Sequence, residues 1–275
     1  MAQKNGQIIW TEVLKKALAV VREGRFSLLG YLGQLEKVEV KLQAGLVSEA
    51  DRETELLIKR GLQSIASDWE FLGEEESFLN GDKIPAPSGH PRWILDPLDG
   101  TTNYIHRFPI FCISLALEFE GELQLAIIDC LVTQETFTAI RGQGAYRNGK
   151  AIHVSQTSNL KDSLLATGFF PDNIEALKEQ VRVFSYLVER TRGIRRAGAA
   201  AYDLCMVAQG TFDGFWEPNL KPWDVAAGQL LVEEAGGVVL NRQGNRHNPY
   251  DNYIIATNSK LSQTLGELIR SQSKC

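Results

Sequence analysis

The chain has 275 residues, with 34 acidic and 29 basic side chains and a formal net charge of −5. At 44% hydrophobic and 23% charged residues it has the composition of a globular protein, and a disordered, collagen-like or coiled-coil chain is excluded. The mild acidic surplus leaves no electrostatic footprint for a phosphate backbone, so no nucleic-acid partner is expected.

The N-terminal stretch is broken by Lys4, Lys15 and Lys16 and lacks the apolar centre and cleavage site of a secretory signal. No run approaches the roughly 18 apolar residues that span a bilayer, and a cytoplasmic protein without membrane contact is expected. Four cysteines, Cys112, Cys130, Cys205 and Cys275, are scattered without C-x-x-C spacing. Three lie in apolar segments, which predicts buried reduced thiols and neither a zinc site nor a disulfide framework.

In chain order, the spacing of Val13, Ala17, Val20 and Val21 predicts an amphipathic helix over about 9–25. A second helix is predicted over about 49–65, with Leu56, Leu57, Ile58, Leu62 and Ile65 on its buried side. The texture then turns to short runs rich in β-branched and aromatic residues: 69–72, 93–95, 111–119, 123–129 and 135–140. A Glu120-Gly121 turn joins two of them, and neighbouring strands without helices between them predict an antiparallel sheet. Beyond about Gln156 the pattern alternates, with strands at 164–168, 212–216, 238–240 and 253–256 and helices at 174–190, 199–209 and 225–234. The fold class is α/β, with an antiparallel α+β N-terminal half over residues 1–155 and an α/β half over 156–275, divided at the polar, turn-rich stretch VSQTSNLKDS.

The segment RWILDPLDGTTNY, residues 92–104, carries the chemistry. An apolar strand delivers Asp96, Pro97 ends its ladder, and Asp99 precedes a glycine suited to a tight turn. Both carboxylates and the Leu98 carbonyl can converge on one point, a hard-oxygen set of the kind a divalent cation takes. Thr101 and Thr102 follow with hydroxyls and backbone N–H groups suited to an anion. Either Asp pair alone is ordinary turn punctuation; the combination points to function. Glu74, Glu75 and Glu76 follow Gly73 at another strand end, read as a solvated acidic loop with Glu74 and Glu75 near the same sheet edge as Asp96. Asp224 precedes a small-residue helix, where an N-cap role and a metal-ligand role are compatible. Ser48 and Asp51 fit a capping box. No Ser-His-Asp or Cys-His signature is present, and His106 and His153 are read as structural or surface residues.

Taken in order, Asp51, Gly73-Glu74-Glu75, the D-P-L-D-G-T-T run at 96–102 and Trp223-Asp224 resemble the inositol monophosphatase family, as do NYIHRFPIFCISLAL, RGQGAYRNGKAIHVS and the long segment from Ala197 to Gly237. The resemblance covers nearly the whole chain. It implies a layered αβαβα sugar-phosphatase fold and Mg²⁺-dependent hydrolysis of a small phosphate monoester by metal-activated water. By resemblance, Glu74, Asp96, the Leu98 carbonyl, Asp99 and Asp224 hold two or three Mg²⁺ ions. Glu74 and Thr101 orient the water, with Asp51 hydrogen-bonded to the threonine and Glu75 an accessory acid. Gly100, Thr101 and Thr102 match the phosphate cradle; Gly198, Ala199, Glu217 and Asp224 match the wall facing substrate hydroxyls. Lys41 resembles the lysine of the family's mobile loop. Two positions depart from the family pattern: Gly45, where many relatives are acidic, in a loop from Lys41 that is one residue shorter, and Ala199, where relatives often carry Ser or Thr.

The T-T-N-Y form favours a polyol or sugar phosphate such as myo-inositol 1-phosphate. Fructose 1,6-bisphosphate and adenosine 3′,5′-bisphosphate are the alternative substrates, and Arg195 and Arg196 are candidates for a second phosphate. Lithium inhibition and a homodimer are implied by the family alone. A regulatory binding protein on the same fold is the rival class.

Overall fold

A computed structural model describes residues 3–4, 7–35, 38–41, 45–81, 83–86, 88–169 and 173–272, with backbone alone at 3, 4, 7, 40, 41 and 45–47. Cys275 lies outside the described residues. The chain begins with β1 (Gln3–Lys4) and β2 (Gln7–Ile8), then α1 (Trp10–Tyr31), the hairpin β3 (Val38–Lys41) and β4 (Gly45–Ser48), and α2 (Glu49–Gln63). Helix α1 runs six residues beyond the predicted end at Arg25. Gly24 is a contact point and not a stop, since a Cβ there would lie 2.7 Å from Ile58 Cδ1, and Leu28 continues the buried stripe one turn further. The predicted face of α2 is also corrected. Leu56 and Leu57 are exposed, and the buried side carries Asp51, Thr54 and Glu55 beside Ile58 and Leu62. A helix that buries carboxylates on one face is turned toward a polar site, which overrides apolar periodicity.

The first sheet contains β5 (Glu70–Gly73), β6 (Arg92–Asp99), β7 (Cys112–Phe119), β8 (Glu122–Cys130), β9 (Glu135–Ile140), β10 (Ala145–Arg147) and β11 (Lys150–Ile152), in the spatial order β11-β10-β9-β8-β7-β6-β5. It is antiparallel except for the parallel pair β5–β6 at its edge. The reason is α3 (Glu74–Leu79), a helix that follows β5 where a solvated loop is predicted. Another short helix, α4 (Thr101–Ile105), follows β6. The β7–β8 hairpin turns at Glu120 and Gly121, whose φ values of 54° and 75° match the twist of antiparallel strands.

A second sheet of β12 (Leu164–Thr167), β13 (Gly193–Arg195), β14 (Gly214–Pro218), β15 (Gly237–Leu240) and β16 (Tyr253–Asn258) has the order β13-β12-β14-β16-β15. The strands alternate with α5 (Ile174–Val188), α6 (Ala200–Ala208), α7 (Pro222–Glu234) and α8 (Ser262–Gln272), the last of these not predicted. Three apolar clusters give the layering. Helices α1 and α2 pack on one face of the first sheet, while α6 and α7 fill the space between the two sheets and share a core with both. Helices α5 and α8 cover the far face of the second sheet. The αβαβα order follows, and α7, buried almost all round, is its central element. Among the described residues no helix is long and apolar enough to cross a membrane.

Candidate metal and phosphate site

The end of β6 builds the centre. Pro97 has no N–H to give the ladder, and the register against β7 slips between Asp96 and Asp99. Asp96 Oδ1 accepts the Leu98 N–H at 2.8 Å, which turns the strand end back on itself. Gly100 then sits at φ 92°, where a Cβ would lie 3.0 Å from the Ile110 carbonyl oxygen and 3.2 Å from Ala199 Cβ, so only glycine fits this turn. Asp99 Oδ2 accepts the Ala201 N–H at 2.7 Å from the start of α6, and the Cys112 thiol lies 3.8 Å away on β7.

Asp224 comes from the other half of the chain. Pro222 opens α7, and the Asp224 carboxylate accepts the Lys221 N–H at 2.7 Å, a capping arrangement that fixes its side chain over the helix start. Ser114 Oγ donates to the Trp223 carbonyl at 3.0 Å, pinning this helix start to β7. Glu74 is the first residue of α3, just past the end of β5.

The electrostatics identify these acids as one cluster. Burial, then Glu74, Asp99 and Asp224, push Asp96 well above the ordinary carboxylate range. Burial and Glu74 push Asp224 up likewise, against the opposing Lys221 N–H. Asp99 rises to about 7 through burial, partly countered by the Ala201 N–H. Asp96, Asp99 and Asp224 are thus raised together, and carboxylate oxygens gathered in this way are the donors that a hard divalent cation prefers. Among the described residues no three His, Cys, Asp or Glu side chains stand as a ready-made cage. The fit to a cation is one of donor chemistry and concentrated negative charge.

Asp51 serves two partners at once. Its Oδ2 accepts from Ser48 N at 2.8 Å and Ser48 Oγ at 2.5 Å, capping α2, while its Oδ1 lies 3.0 Å from Thr101 Oγ1. The threonine hydroxyl also lies 3.1 Å from the Leu98 carbonyl oxygen. Glu55, one turn along α2, was not singled out by sequence reasoning. It is 4% exposed, accepts the N–H groups of Glu75 and Glu76 at 2.9 and 2.8 Å, and is pushed up to about 7, mainly by burial. Its four-residue spacing from Asp51 was the available signal. Glu75 is buried and Glu76 pairs with Lys59 at 2.5 Å, so the three acids are parts of a helix start.

The facing wall comes from α6 and β14. Asn103 Nδ2 donates to the Ile110 and Ala197 carbonyls at 2.7 and 2.9 Å, tying α4 to the turn at Gly198. Gly198 has φ 90°, and a Cβ there would lie 2.8 Å from Arg196 Nη1. Glu217 is raised to about 8 by burial, with Arg196 opposing. Asp203 on α6 is a second residue that sequence reasoning missed. It is buried, held well above the carboxylate range by burial and Glu217, and its Oδ1 has no hydrogen-bond partner. Arg196, though exposed, acts on this wall through its charge; Arg195, also exposed, donates to the Ile194 carbonyl at 3.4 Å. Thr102 is exposed at the start of α4. Lys41 pairs with Gly45 at the end of the β3–β4 hairpin nearest residues 42–44; its side chain and residues 42–44 lie outside the description. Cys112, Cys130 and Cys205 are free and buried.

Layering and site together define an αβαβα protein with a partly buried acidic cluster suited to cations, faced by a wall from α6 and β14. The chain belongs to the inositol monophosphatase family, whose model matches residues 9–275. It is 44% identical over 221 residues to Nus factor SuhB of Pseudomonas aeruginosa, covering 80% of each chain. It is 37% identical over 261 residues to inositol-1-monophosphatase of Synechocystis sp., covering 94% of this chain and 88% of the relative. Among solved structures, the extragenic suppressor protein suhB of Bartonella henselae superposes with a TM-score of 0.87 at 36% identity, covering 94% of this chain and 98% of that one. Inositol monophosphatase from Anabaena gives 0.84 at 34%, covering 95% and 96%.

Proposed function

We propose that the chain is a Mg²⁺-dependent phosphomonoesterase for a small polyol or sugar phosphate, with myo-inositol 1-phosphate as the leading substrate. The observation that carries this reading is the buried carboxylate pair Asp96 and Asp99 at the end of β6, with Asp96 pushed up by burial and by the charges of Glu74 on α3 and Asp224 on α7. Bound Mg²⁺ supplies neutralisation of the phosphoryl oxygens and a water of lowered pKa.

The chain supplies the rest. Glu74, Asp96, Asp99, Asp224 and the Leu98 carbonyl hold two or three ions. Thr101 donates its hydroxyl hydrogen bond to Asp51, which leaves an oxygen lone pair free to accept a hydrogen bond from the attacking water, and Glu74 helps to orient the same water. The N–H groups of Gly100, Thr101 and Thr102 receive the phosphate. Ala199, Glu217 and Asp224 face the substrate hydroxyls beside Gly198, with Ala199 offering no hydroxyl of its own. Monoester hydrolysis has one of the highest uncatalysed barriers known, so positioning and charge compensation account for most of the acceleration.

Phosphate release from myo-inositol 1-phosphate, fructose 1,6-bisphosphate and adenosine 3′,5′-bisphosphate at millimolar Mg²⁺ tests the reading. No release from any small monoester refutes it. A cytoplasmic homodimer, lithium inhibition, and a two-domain division near residue 155 belong to the same reading. A second reading is favoured by the relative named Nus factor SuhB: a binding role on the same scaffold. Pull-downs with wild-type protein and Asp96→Asn separate the two, because a binding role independent of turnover survives the substitution.

A further inference from the structure

We propose that Glu55 is a positioning residue that sets how Glu74 enters the site, and that α2 holds both members of the water-orienting pair from one face. The inference rests on the phosphatase reading for the roles of Glu74 and Thr101. Its structural part stands on four observations.

Helix α3 starts at Glu74 with Gly73 in the N-cap position, and glycine has no side chain to cap the helix. The first N–H groups of a helix have no partner within it, and leaving them unsatisfied in a buried place is costly. Glu55 supplies the missing cap from another helix, its Oε2 accepting the Glu75 N–H at 2.9 Å and its Oε1 the Glu76 N–H at 2.8 Å. Gly73 is what admits it, since a Cβ there would lie 2.5 Å from Glu55 Oε2. Both carboxylate oxygens are thus engaged by consecutive amides, which fixes the direction of the first turn of α3 and the starting direction of the Glu74 side chain.

Four residues earlier, Asp51 stands on the same face of α2 and binds Thr101 Oγ1 at 3.0 Å. Four residues of helix rise about 6 Å, a rigid spacing. The two anchors therefore fix Glu74 and Thr101 relative to each other, although these belong to different helices following different strands. A carboxylate at position 55 would serve local stability alone if Asp51 lay elsewhere; with both on one face, α2 acts as a gauge for the site.

The test uses full-length Glu55→Gln, Glu55→Asp, Gly73→Ala, Glu74→Gln and the Glu55→Gln/Glu74→Gln double variant. Glutamine replaces one acceptor by a donor facing an N–H, aspartate keeps the charge but is too short to reach both amides, and Gly73→Ala displaces the carboxylate without removing it. In the metal-free protein, amide hydrogen exchange at Glu75 and Glu76 is expected to speed up about tenfold or more in Glu55→Gln, Glu55→Asp and Gly73→Ala. With Mg²⁺, the half-saturating metal concentration rises and kcat falls by about 10- to 100-fold, the usual range for residues that orient metal ligands, while KM for the monoester stays within about threefold. The double variant loses no more activity than Glu74→Gln alone. Wild-type exchange and Mg²⁺ dependence in Glu55→Gln overturn the proposal, as does a loss in the double variant equal to the product of the single losses. If Glu55→Gln does not fold, Glu55→Asp and Gly73→Ala carry the same comparison. A wild-type protein that releases no phosphate refutes the phosphatase reading, and the exchange measurement then still decides whether Glu55 holds α3.

Discussion

Gly168 and Glu217 form a fitted pair: a Cβ on the glycine would lie 2.1 Å from both carboxylate oxygens. The Gly168 carbonyl is itself held by Gln180 Nε2 at 2.7 Å, so the backbone is not free to retreat. Gly168→Ala is expected to displace Glu217 and lower kcat/KM for myo-inositol 1-phosphate about tenfold, roughly 1.4 kcal/mol of transition-state stabilisation. Hydrolysis of p-nitrophenyl phosphate, which has no ring hydroxyls, should change little. Equal losses on both substrates would separate Glu217 from hydroxyl recognition.

Asp51 and Thr101 are predicted to differ in what their loss costs. Asp51→Asn weakens the cap of α2 and the hold on Thr101 together, so it should reduce stability by about 1 kcal/mol and also lower kcat. Thr101→Ala leaves the cap intact and should lower kcat with little effect on stability. Thermal unfolding measured beside steady-state kinetics checks the contrast; a stability loss in Thr101→Ala equal to that of Asp51→Asn would contradict it.

Removal of metal should invert the effect of Asp96→Asn. Without a cation, the substitution deletes a buried carboxyl group raised by the charges of Glu74, Asp99 and Asp224, and Tm is expected to rise by roughly 2–4 °C, about 1 kcal/mol for a chain of this class. With Mg²⁺ the same variant should gain less from the ion than wild type and should show no turnover. Scans in chelator and in millimolar Mg²⁺ decide this. A variant less stable than wild type in chelator would argue against repulsion of Asp96 by its acidic neighbours.

His247 predicts a pH effect far from the site. It is 3% exposed, its Nδ1 lies 2.8 Å from Gln229 Oε1, and burial lowers its pKa to about 4. The unfolded chain protonates this histidine near 6.5 and the folded chain does not, so its stability contribution is complete above about 6.5 and is lost as pH falls toward 4. Between pH 7 and pH 5 the loss should be about 2 kcal/mol. Urea unfolding of wild type and His247→Gln at both values measures it, and an equal pH dependence in the two proteins would exclude His247 as the source.

Strands β5 to β9 of the first sheet and most elements of the second half were legible because periodicity and turn residues act locally, whereas the three-residue strands β10, β11 and β13 are too short to carry a period. Glu135–Ile140 was readable to the residue, and the neighbours of other strands to within a few. The face of α2 was not, because Leu56 and Leu57 follow the apolar rule while Asp51 and Glu55 answer to a buried polar site that only the tertiary fold creates. The helix at Glu74 was hidden for a related reason: its cap comes from Glu55, and nothing local marks its start. The run at Asp96–Thr102 was readable because strand end, proline, glycine and acids are adjacent in the chain. Asp203 was missed because an acid inside a small-residue helix carries no local mark of burial.

The arrival of Asp224 from α7 has a consequence for refolding. Glu74, Asp96 and Asp99 lie within 26 positions of one another, whereas Asp224 follows Asp99 only after 125 more. Its placement requires α7 to be seated between the two sheets, and contacts of such sequence separation form late because loop closure must precede them. A refolding chain should therefore regain its far-ultraviolet signal first and its full cation affinity afterwards, making metal uptake a clock for the last step of assembly.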